Sequence, residues 1–232
     1  MKFPFKLIDL THELYPAMPT WGHERGFLID EELLSATENE GPDFCLQKLE
    51  MDAGIGTHID APRHCYPYGK SVAELDLNDL CAPCVVIDVS KQVKKAAYVV
   101  TLEDIKKFEN VHGEVQEDAF VIIHTGWSQH WENHRKYRNN LKFPSISEEV
   151  ARYLLGRNIV GLGIDTLGPD VPSSGFIVHK LVLGADKFIV ENIANAQAMP
   201  AVGGFCMVMP LKVEGGAEAP VCLVGLVKRL QR

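Results

Sequence analysis

The sequence predicts a single-domain α/β fold built on a mixed sheet. Three features carry the prediction. Short, unbroken apolar runs rich in Val and Ile recur along the chain, and such runs suit strands buried on both faces, whereas a half-exposed strand alternates. Polar stretches with helical spacing lie between several of these runs. Toward the C-terminus the strand-like runs follow one another with no long helix between them, so a doubly wound sheet, in which strands and helices alternate throughout, fits poorly.

In chain order, the strand-like runs are "CVVIDVS" (84–90), "AFVIIHTG" (119–126), "NIVGLGIDT" (158–166), "KFIVE" (187–191), "FCMVMPLKV" (205–213) and "PVCLVGLVKRL" (220–230). The clearest helix is "SISEEVARYLLGRN" (145–158). There Ser145 and Glu148 have the spacing of a capping box, Ile146, Val150 and Leu154 recur every four residues, and Gly156 supplies a stop. "TLEDIKKFEN" (101–110) opens on a capping Thr101 and an acidic first turn, which suits the positive end of a helix. "WSQHWENHRKY" (127–137) reads as a partly exposed helix.

A length of 232 residues suits one domain and can bury a substantial core. The chain has 31 acidic and 23 basic residues, a formal net charge of −8, and no basic block. This argues against nucleic acid and against anionic membrane surfaces as partners. The opening "MKFPFKLIDLTHELYP" lacks the apolar stretch of a secretory signal, and no apolar run reaches the length of a membrane span. The expected location is therefore the cytoplasm, with the six cysteines as thiols. Cys81 and Cys84 form a CxxC, but it runs into a strand rather than a helix. No second such pair completes a four-thiolate zinc site.

Chemistry concentrates in "GTHIDAPRH" (56–64). His58 and Asp60 are two residues apart, so an extended backbone points both to one side. An imidazole and a carboxylate so placed are a usual start for a Zn²⁺ or Mn²⁺ site. Gly56 permits close backbone approach, and Pro62 stiffens the loop and keeps Ala61 extended. His64, beyond the proline, reads either as a further ligand or as a base. A solvated polar loop is the competing reading, because isolated His and Asp residues in loops usually face water or cap turns.

The stretch "GIGTHIDAPRH" resembles the signature HxGTHxDxPxH of the cyclase family of metal-dependent hydrolases, which includes bacterial kynurenine formamidases and isatin hydrolases. Gly56, Thr57, His58, Asp60, Pro62 and His64 all match it. "LIDLTHELYPAMPTW", "GIDTLGPD", "HKLVLGADKFIVENIANAQAMP" and "PLKVEGGAEAPV" resemble further blocks of the family in the same order, so the likeness covers essentially the whole chain. It implies a swivelling-type β/β/α single domain over residues 1–232, a small-molecule substrate, and a homo-oligomer, dimer or tetramer. By the same resemblance His58, Asp60, His179 and Glu191 are metal ligands, with Asp60 able to bridge two ions, and His64 is the general acid/base. Trp21 is a substrate contact by resemblance, although core packing explains a tryptophan equally well. Glu191 closes an apolar strand, a position that more often faces solvent.

The resemblance implies a divalent cation, Zn²⁺ or Mn²⁺, one or two per subunit. The implied activity is hydrolysis of an amide bond in a small molecule, an N-formyl arylamine or a cyclic amide. A lactone or ester hydrolase on the same site and a non-catalytic metal- or ligand-binding homologue are the alternatives. One position departs from the signature: Gly54 stands where its first histidine belongs. Three outcomes follow: one ion held by the four remaining side chains, substitution by Glu50 or Asp52, or loss of activity. The first is the expectation adopted. Among the other histidines, His124 reads as buried and hydrogen-bonded, and His130 and His134 as a solvated helix face. His12 and His23 lie near Trp21 in the sequence and are candidates for the border of a substrate pocket, which nothing in the sequence decides.

Overall fold

The computed structural model describes residues 3–22, 26–34 and 44–229. Its main sheet joins β1 (Phe5–Asp9), β4 (His58–Asp60), β5 (Cys81–Asp88), β7 (Phe120–His124), β9 (Gly161–Ile164), β10 (Phe188–Glu191), β11 (Gly204–Pro210) and β12 (Glu218–Lys228). The order is β1-β12-β11-β5-β7-β9-β10-β4, and β4 pairs again with β12, so the sheet curls into a barrel-like body. The neighbours β5, β7, β9 and β10 run parallel, and the remaining pairs are antiparallel. A mixed sheet is thus present, and the C-terminal strands that lacked intervening helices form its antiparallel part.

The unbroken apolar runs are explained by two separate cores. Phe120 and Ile122 of β7 face the interior with Ile59, Val86, Phe188, Val190 and Leu223. Val121 and Ile123 face the other way, into a layer made by α1 (Leu102–His112), α3 (Glu148–Gly156) and α4 (Ile177–Gly184). Each parallel strand therefore buries both faces, which removes the polar alternation of an exposed strand. Gly161 and Gly163 fit this packing: an added Cβ would lie 2.4 Å from the Phe188 ring and 2.8 Å from that of Phe120, respectively.

Helix α1 begins as its sequence predicts. Thr101 caps it, and the Asp104 carboxylate accepts reciprocally from the Thr101 backbone at 2.9 Å. Helix α3 differs. Its cap is Ser147, whose Oγ accepts from Val150 N at 3.3 Å, and not Ser145. Ser145 and Ile146 instead form β8 (Ser145–Ile146), paired with β6 (Val99–Val100), which commits their backbone to an extended course. Ser147→Ala is accordingly expected to cost about 1 kcal/mol of stability, read as a lower urea midpoint with an unchanged slope.

The predicted helix at 127–137 is also corrected. A 3-10 turn covers Trp127–His130, and a separate short helix, α2 (His134–Arg138), starts after Asn133. The Asn133 side chain accepts from Lys136 N at 3.0 Å and caps a new start. An additional hairpin, β2 (Phe27–Leu34) with β3 (Phe44–Met51), was not predicted from the sequence. It exposes Leu28, Ile29, Leu46 and Leu49.

Candidate metal and acid–base site

Two strand registers assemble the site. Strand β4 lies between β10 and β12, which places Glu191 opposite His58 on one side and Glu218 opposite Asp60 on the other. Helix α4 then brings His179 over the same point. All five side chains line one cavity of about 390 Å³, with His64, Trp21, Phe176 and Leu167 among its walls.

The two buried histidines are held alike. His58 Nδ1 donates to the carbonyl of Gly56 at 2.9 Å, and His179 Nδ1 lies 2.8 Å from Asp170 Oδ2. Each partner is an acceptor, so each ring turns its Nε2 toward the centre, the second-shell arrangement usual for metal-binding histidines. Gly56 can present that carbonyl because it sits at φ +60, and an added Cβ there would come within 2.3 Å of Leu14. Asn192 Nδ2 donates to the same carbonyl at 2.8 Å. Asp170 is itself pinned, accepting from His179 N at 2.9 Å and from Ser174 Oγ at 2.7 Å.

The two Nε2 atoms meet two carboxylates. Glu191 lies 3.3 Å from His58 Nε2 and 3.1 Å from His179 Nε2. Asp60 lies 3.5 Å and 3.7 Å from the same atoms. Asp60 is only 1% exposed, and neither of its oxygens has a hydrogen-bond partner. A buried carboxylate without hydrogen bonds is costly. Together with Asp60, the Nε2 atoms of His58 and His179 and the Glu191 carboxylate form a donor set that fits Zn²⁺ or Mn²⁺. His58, Asp60 and Glu218 form one group able to hold an ion, and Asp60, His64 and His179 a second.

Residues 8–171 match the family described as putative cyclase. The chain belongs to this cyclase family. Across 97% of its length it is 29% identical to the isatin hydrolase of Roseibium aggregatum, covering 92% of that protein. It is 32% identical to the kynurenine formamidase of Bacillus cereus over 80% of this chain and 81% of that one. Among solved structures, isatin hydrolase A from Ralstonia solanacearum superposes with a TM-score of 0.86 at 28% identity, covering 97% of this chain and 92% of that one. A protein described as a potential metal-dependent hydrolase with cyclase activity gives 0.75 at 29% identity, covering 98% and 100%.

Within this cyclase scaffold, the residues that the sequence singled out mostly converge. His58, Asp60, His179 and Glu191 surround one point, and Glu191 is buried rather than solvent-facing. His64 stands at the cavity edge with Nδ1 3.2 Å from Glu218 Oε2. Trp21 serves both readings, since it lines the cavity and also packs edge-on against Phe143 at 5.9 Å. Glu50 and Asp52 are exposed and do not line the cavity. His12 is not at this cavity either: it stacks on Trp131 at 4.1 Å, and burial lowers its pKa to about 4. His23 lies outside the described residues. His124 is buried against Asp165, and His130 and His134 fall on separate helical turns. Cys81 is exposed and Cys84 buried on the same strand, β5, with both thiols free.

Glu218, Asp170 and Phe176 were missed. The only sequence signal for Glu218 was its place in "PLKVEGGAEAPV". Phe176 caps α4 from a left-handed backbone conformation, φ 58, and its ring lies 5.8 Å from that of His179.

The protonation state of the cluster yields a prediction. Burial opposes a charged His58, but the Glu191 hydrogen bond and the Asp60 and Glu191 charges outweigh it and lift its pKa to about 9. His179 likewise rises well above the usual imidazole value, because Asp170 and Glu191 outweigh burial. Both rings thus hold protons at neutral pH in the metal-free protein, and a cation must displace them. Apparent Mn²⁺ affinity is expected to rise by about tenfold or more per pH unit from pH 6.5 to 8.5. Titrations across that range check this, and a flat profile would exclude the imidazoles as ligands.

Proposed function

We propose that the protein is a hydrolase that opens an amide bond in a small aromatic molecule, an N-formyl arylamine or a cyclic amide. A divalent cation, Zn²⁺ or Mn²⁺, would be held by His58, Asp60, His179 and Glu191. The observation that carries this reading is the Asp60 carboxylate, buried without a hydrogen bond between two imidazoles whose Nε2 atoms face it. Bound there, such an ion supplies Lewis acidity that polarises a carbonyl and acidifies water.

The chain's own groups do the rest. His64 takes a proton from the attacking water and returns it to the leaving nitrogen. Its Nδ1 is directed by Glu218 at 3.2 Å, which leaves Nε2 for the transferred proton. Trp21 and Phe176, with ring centroids 5.9 Å apart, and Leu167 offer an apolar wall suited to an aryl group. Asp170 and the Gly56 carbonyl hold the histidines in one tautomer throughout.

The enzyme is further proposed to be cytoplasmic and self-associating. A two-stranded hairpin is marginal alone, and the exposed Leu28, Ile29, Leu46 and Leu49 on β2–β3 support packing against a second copy. Light scattering of the purified protein tests this part. The activity is tested on a panel of N-formyl aromatic amines, cyclic amides and lactones, with Mn²⁺ or Zn²⁺ supplied. Turnover of amides above lactones is expected. Preference for lactones would make it an esterase, and no turnover with the ion bound would leave a binding protein.

A further inference from the structure

We infer that Glu218 is a further ligand of this centre, bound from the side on which residue 54 carries no side chain. The inference rests on the proposed function and extends its ligand set to a third carboxylate.

Three observations lead to it. First, the β12–β4 register sets Glu218 opposite Asp60, and its Oε1 stands 4.0 Å from His58 Nε2. Ligands of one ion with bonds of about 2.0–2.2 Å lie about 3–4 Å apart, and the other donor pairs here, at 3.1 to 3.7 Å, span the same range. Second, Gly54 and the Glu218 carboxylate compete for one space. A Cβ on residue 54 would lie 2.0 Å from Glu218 Oε1 and 2.9 Å from its Cδ. Any side chain at 54 would push that oxygen away from His58. Third, the Asp60 carboxylate beside it is 1% exposed and neither of its oxygens has a hydrogen-bond partner, so acceptor atoms suited to a cation stand open at this point.

The two Glu218 oxygens divide between tasks. Oε2 faces His64 Nδ1 and Oε1 faces the ion position, so one carboxylate links the ligand cluster to the base. Glu50 and Asp52 do not fill this role. A third carboxylate also makes the donor set harder, which favours Mn²⁺ relative to Zn²⁺.

The test measures ion binding directly, with Mn²⁺ followed by the loss of the free-ion electron paramagnetic resonance signal and Zn²⁺ by chelator competition. Glu218→Gln and Glu218→Ala are each expected to weaken Mn²⁺ binding by about tenfold or more. Gly54→His alone is expected to weaken it as well, because the ring meets Glu218. The double variant Gly54→His with Glu218→Gly is expected to recover binding and to shift preference toward Zn²⁺. Circular dichroism melts confirm that each variant is folded. Wild-type affinity in both Glu218 variants would overturn this inference and leave the four-ligand reading standing. A wild-type protein that binds neither ion would overturn both.

Discussion

Asp60→Asn is expected to weaken Mn²⁺ and Zn²⁺ binding by more than about 100-fold, beyond the range of changes one shell further out, and to abolish turnover. The same variant is expected to fold as well as the wild type or better. Asp60 is the innermost acid of the cluster, and its oxygens face both imidazoles without a hydrogen bond. Burial, then the neighbouring Glu191 charge, raise its pKa above the usual carboxylate value. An acid with a raised folded-state pKa is worse off ionised in the fold than in the unfolded chain. That cost grows from the ordinary carboxylate range up to the folded-state value of about 7 and is complete only above it, so the melt is run at about pH 8, where a neutral amide removes it. Metal content after dialysis and a urea melt of the metal-free protein check the two halves. Weaker binding together with a lower melt would point to lost structure instead of a lost ligand.

His64→Ala is expected to lower kcat by about 10²- to 10⁴-fold while an ion is still bound through His58, Asp60, His179 and Glu191. His64 is exposed at the cavity edge, whereas His58, Asp60, His179 and Glu191 are buried. Its removal would therefore take away the proposed proton acceptor while the four buried side chains remain. The limb of the pH–rate profile that reports its ionisation should vanish with it. Unchanged kcat with the ion bound would assign the proton transfer to another group.

These two residues were legible because their signals are local. His58 and Asp60 show the two-residue period of a strand, and Gly56, Pro62 and the matching signature frame them. Glu191 was harder. As the last residue of an apolar run it reads as solvent-facing, and it is buried because β4 pairs beside it and His179 of α4 lies against its carboxylate. Glu218 was hidden for the same reason, since its meeting with Gly54 depends on a pairing between distant parts of the chain. The strands of the parallel sheet were readable from composition, as both faces are apolar. The start of α3 was not, because serines at 145 and 147 both have capping character and the β6–β8 pairing decides between them. The β2–β3 pairing escaped because "FLIDEELL" places Asp30, Glu31 and Glu32 together in mid-run, which breaks the apolar alternation of a half-buried strand.

The seam at β4 has a bearing on how the protein is made. Three residues, His58–Asp60, join strands that end near residue 191 and begin at residue 218. A ribosome delivers the first pair of donors early and the carboxylates at 191 and 218 late, so no emerging fragment that stops short of β10 assembles the cluster. The long loop that must close before these contacts form is expected to make the seam a late event in folding. An ion that binds only the closed form would then act as a latch, holding the finished barrel shut by mass action.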